Sequence, residues 1–283
     1  MNWLVKLSKI DRRVVFLLIG AAAVIPLLKP LWLPVHVTEH VQKVFDFIEN
    51  IPVEGQAVLL SVDYTPETFP ELHPMTLAIL RHCFTRNLKV VCMTLQPAGP
   101  GIAELALGTV AAEYGRKYGE DYVLLGYRPG ISPVILGIGE DIKRVFVTDN
   151  YATDLGDIRM MDEIRNYDDI ALVVTISGSS IPESWISYAH SRYGQLIASG
   201  VTAVMAADFY PYLQTGQFIG MLGGLKGASE YEILVERAGF SRERKTATIG
   251  MDSQSVVHLV IIVFIVLGNL AYFASRRTRR EEV

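Results

Sequence analysis

The chain has 283 residues, with 26 Lys plus Arg against 30 Asp plus Glu, a formal net charge of −4, and 50% hydrophobic residues. That length holds one or two domains, but two apolar stretches, residues 14–35 and 256–274, are each about as long as the ~20 residues needed to cross a bilayer core. Between them, residues 36–254 carry 17 basic and 27 acidic side chains, and 17 − 27 leaves −10, a sign that repels phosphate backbones and argues against nucleic acid as a partner.

The first apolar stretch follows Lys6, Lys9, Arg12 and Arg13 and is interrupted by Pro26, Lys29, Pro30 and Pro34. A cleaved signal peptide ending near Ala21, Ala22 and Ala23 is the alternative, but the apolar run continues past those alanines through Trp32. The second stretch has no charged residue and stops at Arg276, Arg277, Arg279 and Arg280. Cytoplasmic flanks are enriched in Lys and Arg, so both termini are expected in the cytoplasm. The expected layout is a cytoplasmic amino terminus (1–13), a transmembrane helix (14–35), an amphipathic connector (36–55), an extracytoplasmic α/β domain (56–240), a second connector (241–254), a second transmembrane helix (255–275) and a basic cytoplasmic tail (276–283). The predicted location is a two-pass cell-membrane protein with the lipid bilayer as its first partner.

After the first span, Val41, Val44, Phe45 and Ile48 recur at helical spacing. Short apolar runs then alternate with helical segments. Strands are predicted at Ala57 to Val62, Lys89 to Thr94, Tyr122 to Gly126, Asp169 to Ile176 and Val201 to Ala206, with helices at about 72–86, 102–118 and 182–198. Runs without polar alternation suit a parallel sheet covered on both faces, and the βα alternation predicts a doubly wound, Rossmann-like α/β fold with a mostly parallel five-stranded sheet. Segments 134–146 and 155–165 are expected to form the crossover between the third and fourth strands, where the strand order reverses. Cys83 and Cys92 are expected as buried free thiols.

Ligands of open parallel sheets bind beyond the carboxyl ends of the strands. Those ends offer Asp63 and Tyr64, then Thr94 and Gln96, then Ser177, Gly178, Ser179 and Ser180, and finally Asp208. The 177–180 turn either holds an anion on its amides or is an ordinary cap with Ser180 capping the next helix. It matches neither GxGxxG nor the Walker pattern, so no nucleotide, other cofactor or metal is expected. A serine nucleophile with His190 as base is disfavoured, because His190 lies two or more turns into the helix. Gly216, Gly220, Gly223, Gly224 and Gly227, read as one glycine-spaced helix with Phe218 and Leu222, predict an oligomer interface, with packing of that helix on its own sheet as the alternative.

No paired acid and base or activated nucleophile stands out, so the expected function is non-catalytic: a membrane-anchored subunit whose α/β domain assembles with itself or with partner membrane proteins. The alternatives are a ligand-sensing or solute-binding module using the strand-end pocket, and a membrane-anchored hydrolase.

Overall fold

The computed structural model describes residues 11–53, 55–240 and 246–281, with side chains to Phe273, so the basic residues Lys6, Lys9, Arg242, Arg244 and Lys245 lie outside the described residues. The chain forms two compact units, one of residues 1–34 with 248–283 and one of residues 35–247.

The larger unit begins with α2 (Glu39–Glu49) and continues through β1 (Ala57–Asp63), α3 (Phe69–Thr85), β2 (Lys89–Thr94), α4 (Gly99–Tyr114) and β3 (Tyr122–Tyr127). The crossover follows, with α5 (Ile131–Glu140), α6 (Ile142–Val145) and tight turns between Leu155 and Asp169. Next come β4 (Ile170–Ser177), α7, β5 (Ile197–Val201), α8 (Ala203–Gln214), β6 (Gly220–Gly223) and α9 (Gly224–Arg237). Helix α7 runs from Ile181 to Tyr193 and widens into a π-turn over Ile186–His190.

The strands form one parallel sheet in the order β3-β2-β1-β4-β5-β6. The expected sheet of five strands is therefore corrected to six. Apolar runs make this possible because both faces are covered: Val58, Leu60 and Val62 of β1 join the core on one side, while Ala57 and Leu59 join the core on the other. As predicted, the crossover from β3 to β4 carries the chain past β1 and reverses the strand order.

The fifth strand lies earlier than expected. Gly194, with φ +70, ends α7, and the chain pairs with β4 from Ile197. Ala203 to Ala206 of the predicted strand are helical instead, since alanine is the strongest helix former.

The glycine segment is also not one helix. Gly220 and Gly223 bound β6, paired with Ala198 and Val201, whereas Gly216 sits in an exposed turn with φ +74. A Cβ on Gly220 would lie 2.3 Å from the His40 carbonyl oxygen of α2, and one on Gly227 would lie 2.8 Å from the Leu222 carbonyl carbon. Phe218 and Leu222 are buried in the core. Gly220 and Gly227 thus make close approaches inside the unit, to α2 and between α9 and β6.

A polar knot joins α2, α3 and α9. Glu49 accepts from His82 Nε2 (2.9 Å), so Nδ1 is the acceptor for the Tyr231 hydroxyl (2.8 Å). Burial holds this imidazole neutral, lowering its pKa to about 4. Two buried carboxylates of α9 fix the ends of the unit: Glu230 accepts from the Thr38 amide (2.8 Å) and hydroxyl (2.7 Å), and Glu232 accepts from the Ala247 amide (2.9 Å). Cys83 and Cys92 are free and buried, as expected.

The smaller unit contains α1 (Arg12–Leu28) and the long α10 (Thr246–Glu281) from Thr248 onward. Helix α10 is long and apolar enough to cross a membrane: Thr246–Phe273 reaches a mean hydropathy of 2.5. The first apolar stretch is helical only to Leu28 over 17 residues, roughly 25 Å at 1.5 Å per residue, and Trp32 adopts φ +53. Among the described residues α10 is the one helix that meets the length for a span, so the expectation of a second helix over 14–35 is not met. The Asp252 carboxylate accepts the successive amides of Leu31 (2.9 Å), Trp32 (2.9 Å) and Leu33 (3.1 Å), and Ser253 Oγ donates to the Ala23 carbonyl (2.7 Å).

We expect Gly220→Ala to destabilise the protein by roughly 1–3 kcal/mol in urea unfolding, as overpacking does, because its new methyl meets backbone. Gly108→Ala meets open space within α4 and should be neutral or stabilising by up to about 1 kcal/mol.

Candidate functional site

The reversal of strand order puts the carboxyl ends of β1 and β4 side by side, with Asp63 in register with Ser177. In doubly wound sheets this is the edge at which ligands bind. Asp63 ends β1 with its carboxylate wholly buried. It accepts from Ser61 Oγ (2.5 Å) and from the Leu95 amide (2.6 Å), while Thr94 Oγ1 stands 3.5 Å away. These donors favour the charged form, yet burial outweighs them and raises the pKa to about 7.

On the neighbouring strand, Ser177 Oγ donates to the Asp63 carbonyl (3.1 Å) and accepts from the Ser179 amide (3.1 Å), with the Ser179 hydroxyl 3.0 Å away. A Cβ on Gly178 would lie 3.0 Å from Thr68 Cγ2, so the loops after β1 and β4 touch there. Ser180 precedes α7 but its side chain makes no capping bond. The cap expected of Ser180 is therefore absent, and Ser179 and Ser180 stand half-buried and exposed at an amino end no side chain closes.

The structure also brings Thr94 and Gln96 to this edge, where Thr94 Oγ1 bonds both the amide and the carbonyl of Gln96 (3.0 Å each). Helix α4 starts directly beneath: a Cβ on Gly99 would lie 2.0 Å from Thr94 Oγ1, so glycine is required there. Tyr64 points into the core instead, its hydroxyl bonded to His73 Nδ1 (3.0 Å) and Thr76 Oγ1 (2.9 Å). Asp208 does not join the site. With the fifth strand shifted it lies on the exposed face of α8. Among the described residues, no three His, Cys, Asp or Glu side chains are grouped to hold a metal.

His190 does not meet the serines. It sits near the end of α7, and its Nδ1 donates to the Gln195 carbonyl (3.0 Å) just before β5, at the amino end of the strands. The sequence reading missed Ser61 and Thr68. Ser61 is recoverable from strand periodicity, since Ser61 and Asp63 share one face two residues apart; Thr68 has no local signal.

A second concavity of about 380 Å³ lies at the opposite, amino edge of the sheet, lined by Phe47, Ile51, Gln56, Tyr193 and Gln195 among others. Its tyrosine hydroxyls are bonded inward, Tyr167 to the Ile135 carbonyl (2.7 Å) and Tyr193 to the Leu136 carbonyl (2.9 Å). No family model matches the chain, and neither a curated protein nor a solved structure with significant similarity to it is found.

The Asp63 pKa gives a pH signature. Raised from 3.8 to about 7, it adds stability that is complete below the unfolded value and is lost as pH rises through 7. His73 and His82, both lowered to about 4, add stability that is complete above their unfolded value and is lost as pH falls through 4. The two histidines still titrate in the unfolded chain around pH 6.5, so up to about pH 8 their rising contribution offsets the falling one of Asp63. We expect the thermal midpoint of Asp63→Asn, measured relative to the wild type, to rise as pH goes from about 4 to about 8, because the substitution removes the falling contribution alone; a constant difference across that range would contradict it.

Proposed function

We propose that the chain is a membrane-anchored, non-catalytic binding module whose α/β unit takes a small polar solute at the carboxyl ends of β1 and β4. The observation that carries this reading is the amino end of α7, which lacks a side-chain cap at the point where the strand order reverses. Half-buried Gly178 and Ser179 lie in the same turn. A non-catalytic role is supported by the bonding of the serines to each other and to the Asp63 backbone.

Anchoring is supported by α10, whose Leu259, Ile262 and Ile265 are exposed, and by α1, whose Phe16, Leu17 and Leu28 are exposed while the smaller Ala22 is buried. In this reading both segments sit in one bilayer with the basic termini in the cytoplasm and the acidic body outside. Assembly with copies of itself or with other membrane proteins is the second reading. The same exposed side chains favour it, since partner helices can cover them within the bilayer.

The test is a thermal-shift screen of small polar metabolites on the full-length protein in detergent. We expect at least one to raise the midpoint, and Gly178→Val, which crowds the edge against Thr68, to abolish that shift with Ser179→Ala reducing it. A shift that survives both substitutions would contradict binding at this edge.

A further inference from the structure

Side chains alternate faces along each strand, and on the face that shares a core with α5 and α7 the character changes along the sheet. Its amino half is apolar, with Ala57, Leu59, Val173 and Ile197. Its carboxyl half carries a polar group at the centre of the sheet, Ser61 and Asp63 on β1, Thr175 and Ser177 on β4, and Ser199 on β5, all buried. Register sets Ser61 beside Thr175, and Thr175 beside Ser199. Neighbouring strands are about 4.8 Å apart, so the three hydroxyls form a row.

Only the first is satisfied, by its bond to Asp63. Thr175 Oγ1 and Ser199 Oγ are buried without a hydrogen-bond partner in the protein, and so is the indole Nε1 of Trp185. Trp185 is wholly buried and belongs to the same cluster as Val173, Ile197 and Val201, the residues flanking Thr175 and Ser199 on this face. Its helix packs on β4. Buried polar groups in native proteins are nearly always paired, with protein or with an internal water, and these three fall in one layer. The π-turn that begins at Ile186, directly after Trp185, is a second sign, since such turns recur at functional sites.

We propose that Thr175, Ser199 and Trp185 together bind one internal water molecule, which ties α7 to β4 and β5. The donor count selects this guest. An indole N–H only donates, so the guest must accept, while each hydroxyl can donate or accept. Water accepts from Trp185 and from one hydroxyl and donates to the other, making the three bonds typical of a buried water. An anion accepts from all three but shares this face with the Asp63 carboxyl. The buried arginine, Arg81, is bonded to Glu113, and its helix α3 lies in the other core. An unpaired buried charge is far more costly than a neutral guest. The inference is independent of any solute at the strand-end edge above.

The test is urea unfolding of the full-length protein with Thr175→Val, Ser199→Ala and Trp185→Phe, alone and in pairs. Each single change is expected to lower the midpoint. Thr175→Val with Trp185→Phe should lower it by less than the sum of the two, because the water is lost once. An increase in midpoint for Thr175→Val, with strictly additive pairs, would mean that the hydroxyls are dry, and would overturn the proposal. A second readout needs no variant to fold: with ¹⁵N-labelled tryptophan, the Trp185 indole proton should show a cross-peak at the water frequency. Its absence would overturn the proposal as well.

Discussion

A carboxyl group sealed inside a protein is tolerated only where its surroundings supply hydrogen bonds, and Asp63 sits where the sheet changes direction. Its side chain holds the Leu95 amide beyond β2, and its carbonyl holds Ser177 at the end of β4. One residue therefore fastens both neighbours of β1 at the point where the order passes from β2-β1 to β1-β4. The loops that would receive a ligand take their positions from this bracket. Gly178 meets Thr68 because the two strand ends are held level, and the amino end of α7 follows three residues later. The raised Asp63 pKa records the desolvation that this arrangement costs.

The rest of the larger unit answers a different constraint, how to cover a sheet whose last strand has four residues. Glycine at 220 lets the His40 backbone come within contact of β6, and glycine at 227 brings α9 onto Leu222. These approaches seat α9, and α9 supplies Glu230 and Glu232, which grip the chain at Thr38 and Ala247. The smaller unit has its own carboxylate device, in which Asp252 gathers three successive amides after α1. A side chain of one segment thereby replaces the helical partners that the amides of Leu31, Trp32 and Leu33 lost when the prolines ended α1.

Much of this was legible in the chain. Unbroken apolar runs such as Val58 to Leu60 and Leu172 to Val174 could only be strands covered on both faces, and the long segment after Tyr127 announced the reversal. That Asp63, Thr94, Gln96 and Ser177 to Ser180 share one edge of the sheet followed from strand ends alone. The errors lie where composition permits two periods. Gly216 to Gly227 fits a four-residue spacing, yet a strand of four residues leaves no periodic trace, and its partner β5 is fixed by tertiary pairing. Ala203 to Ala206 is apolar enough for a strand and alanine-rich enough for a helix, and once β5 had paired from Ile197 to Val201 the helix won. That error carried Asp208 to the wrong end of an element. The polar half-face was present all along as Ser61 and Asp63, Thr175 and Ser177, each pair two apart, but inside apolar runs these residues looked like interruptions instead of a shared surface.

The bracket made by Asp63 is tested most directly by hydrogen–deuterium exchange of single amides in the wild type and in Asp63→Ala. The account predicts that the Leu95 amide loses protection in the variant, while the Ser179 amide, held through the Asp63 carbonyl that alanine keeps, and those of β6 retain theirs. Unchanged protection at Leu95, or an equal loss at every strand, would contradict it.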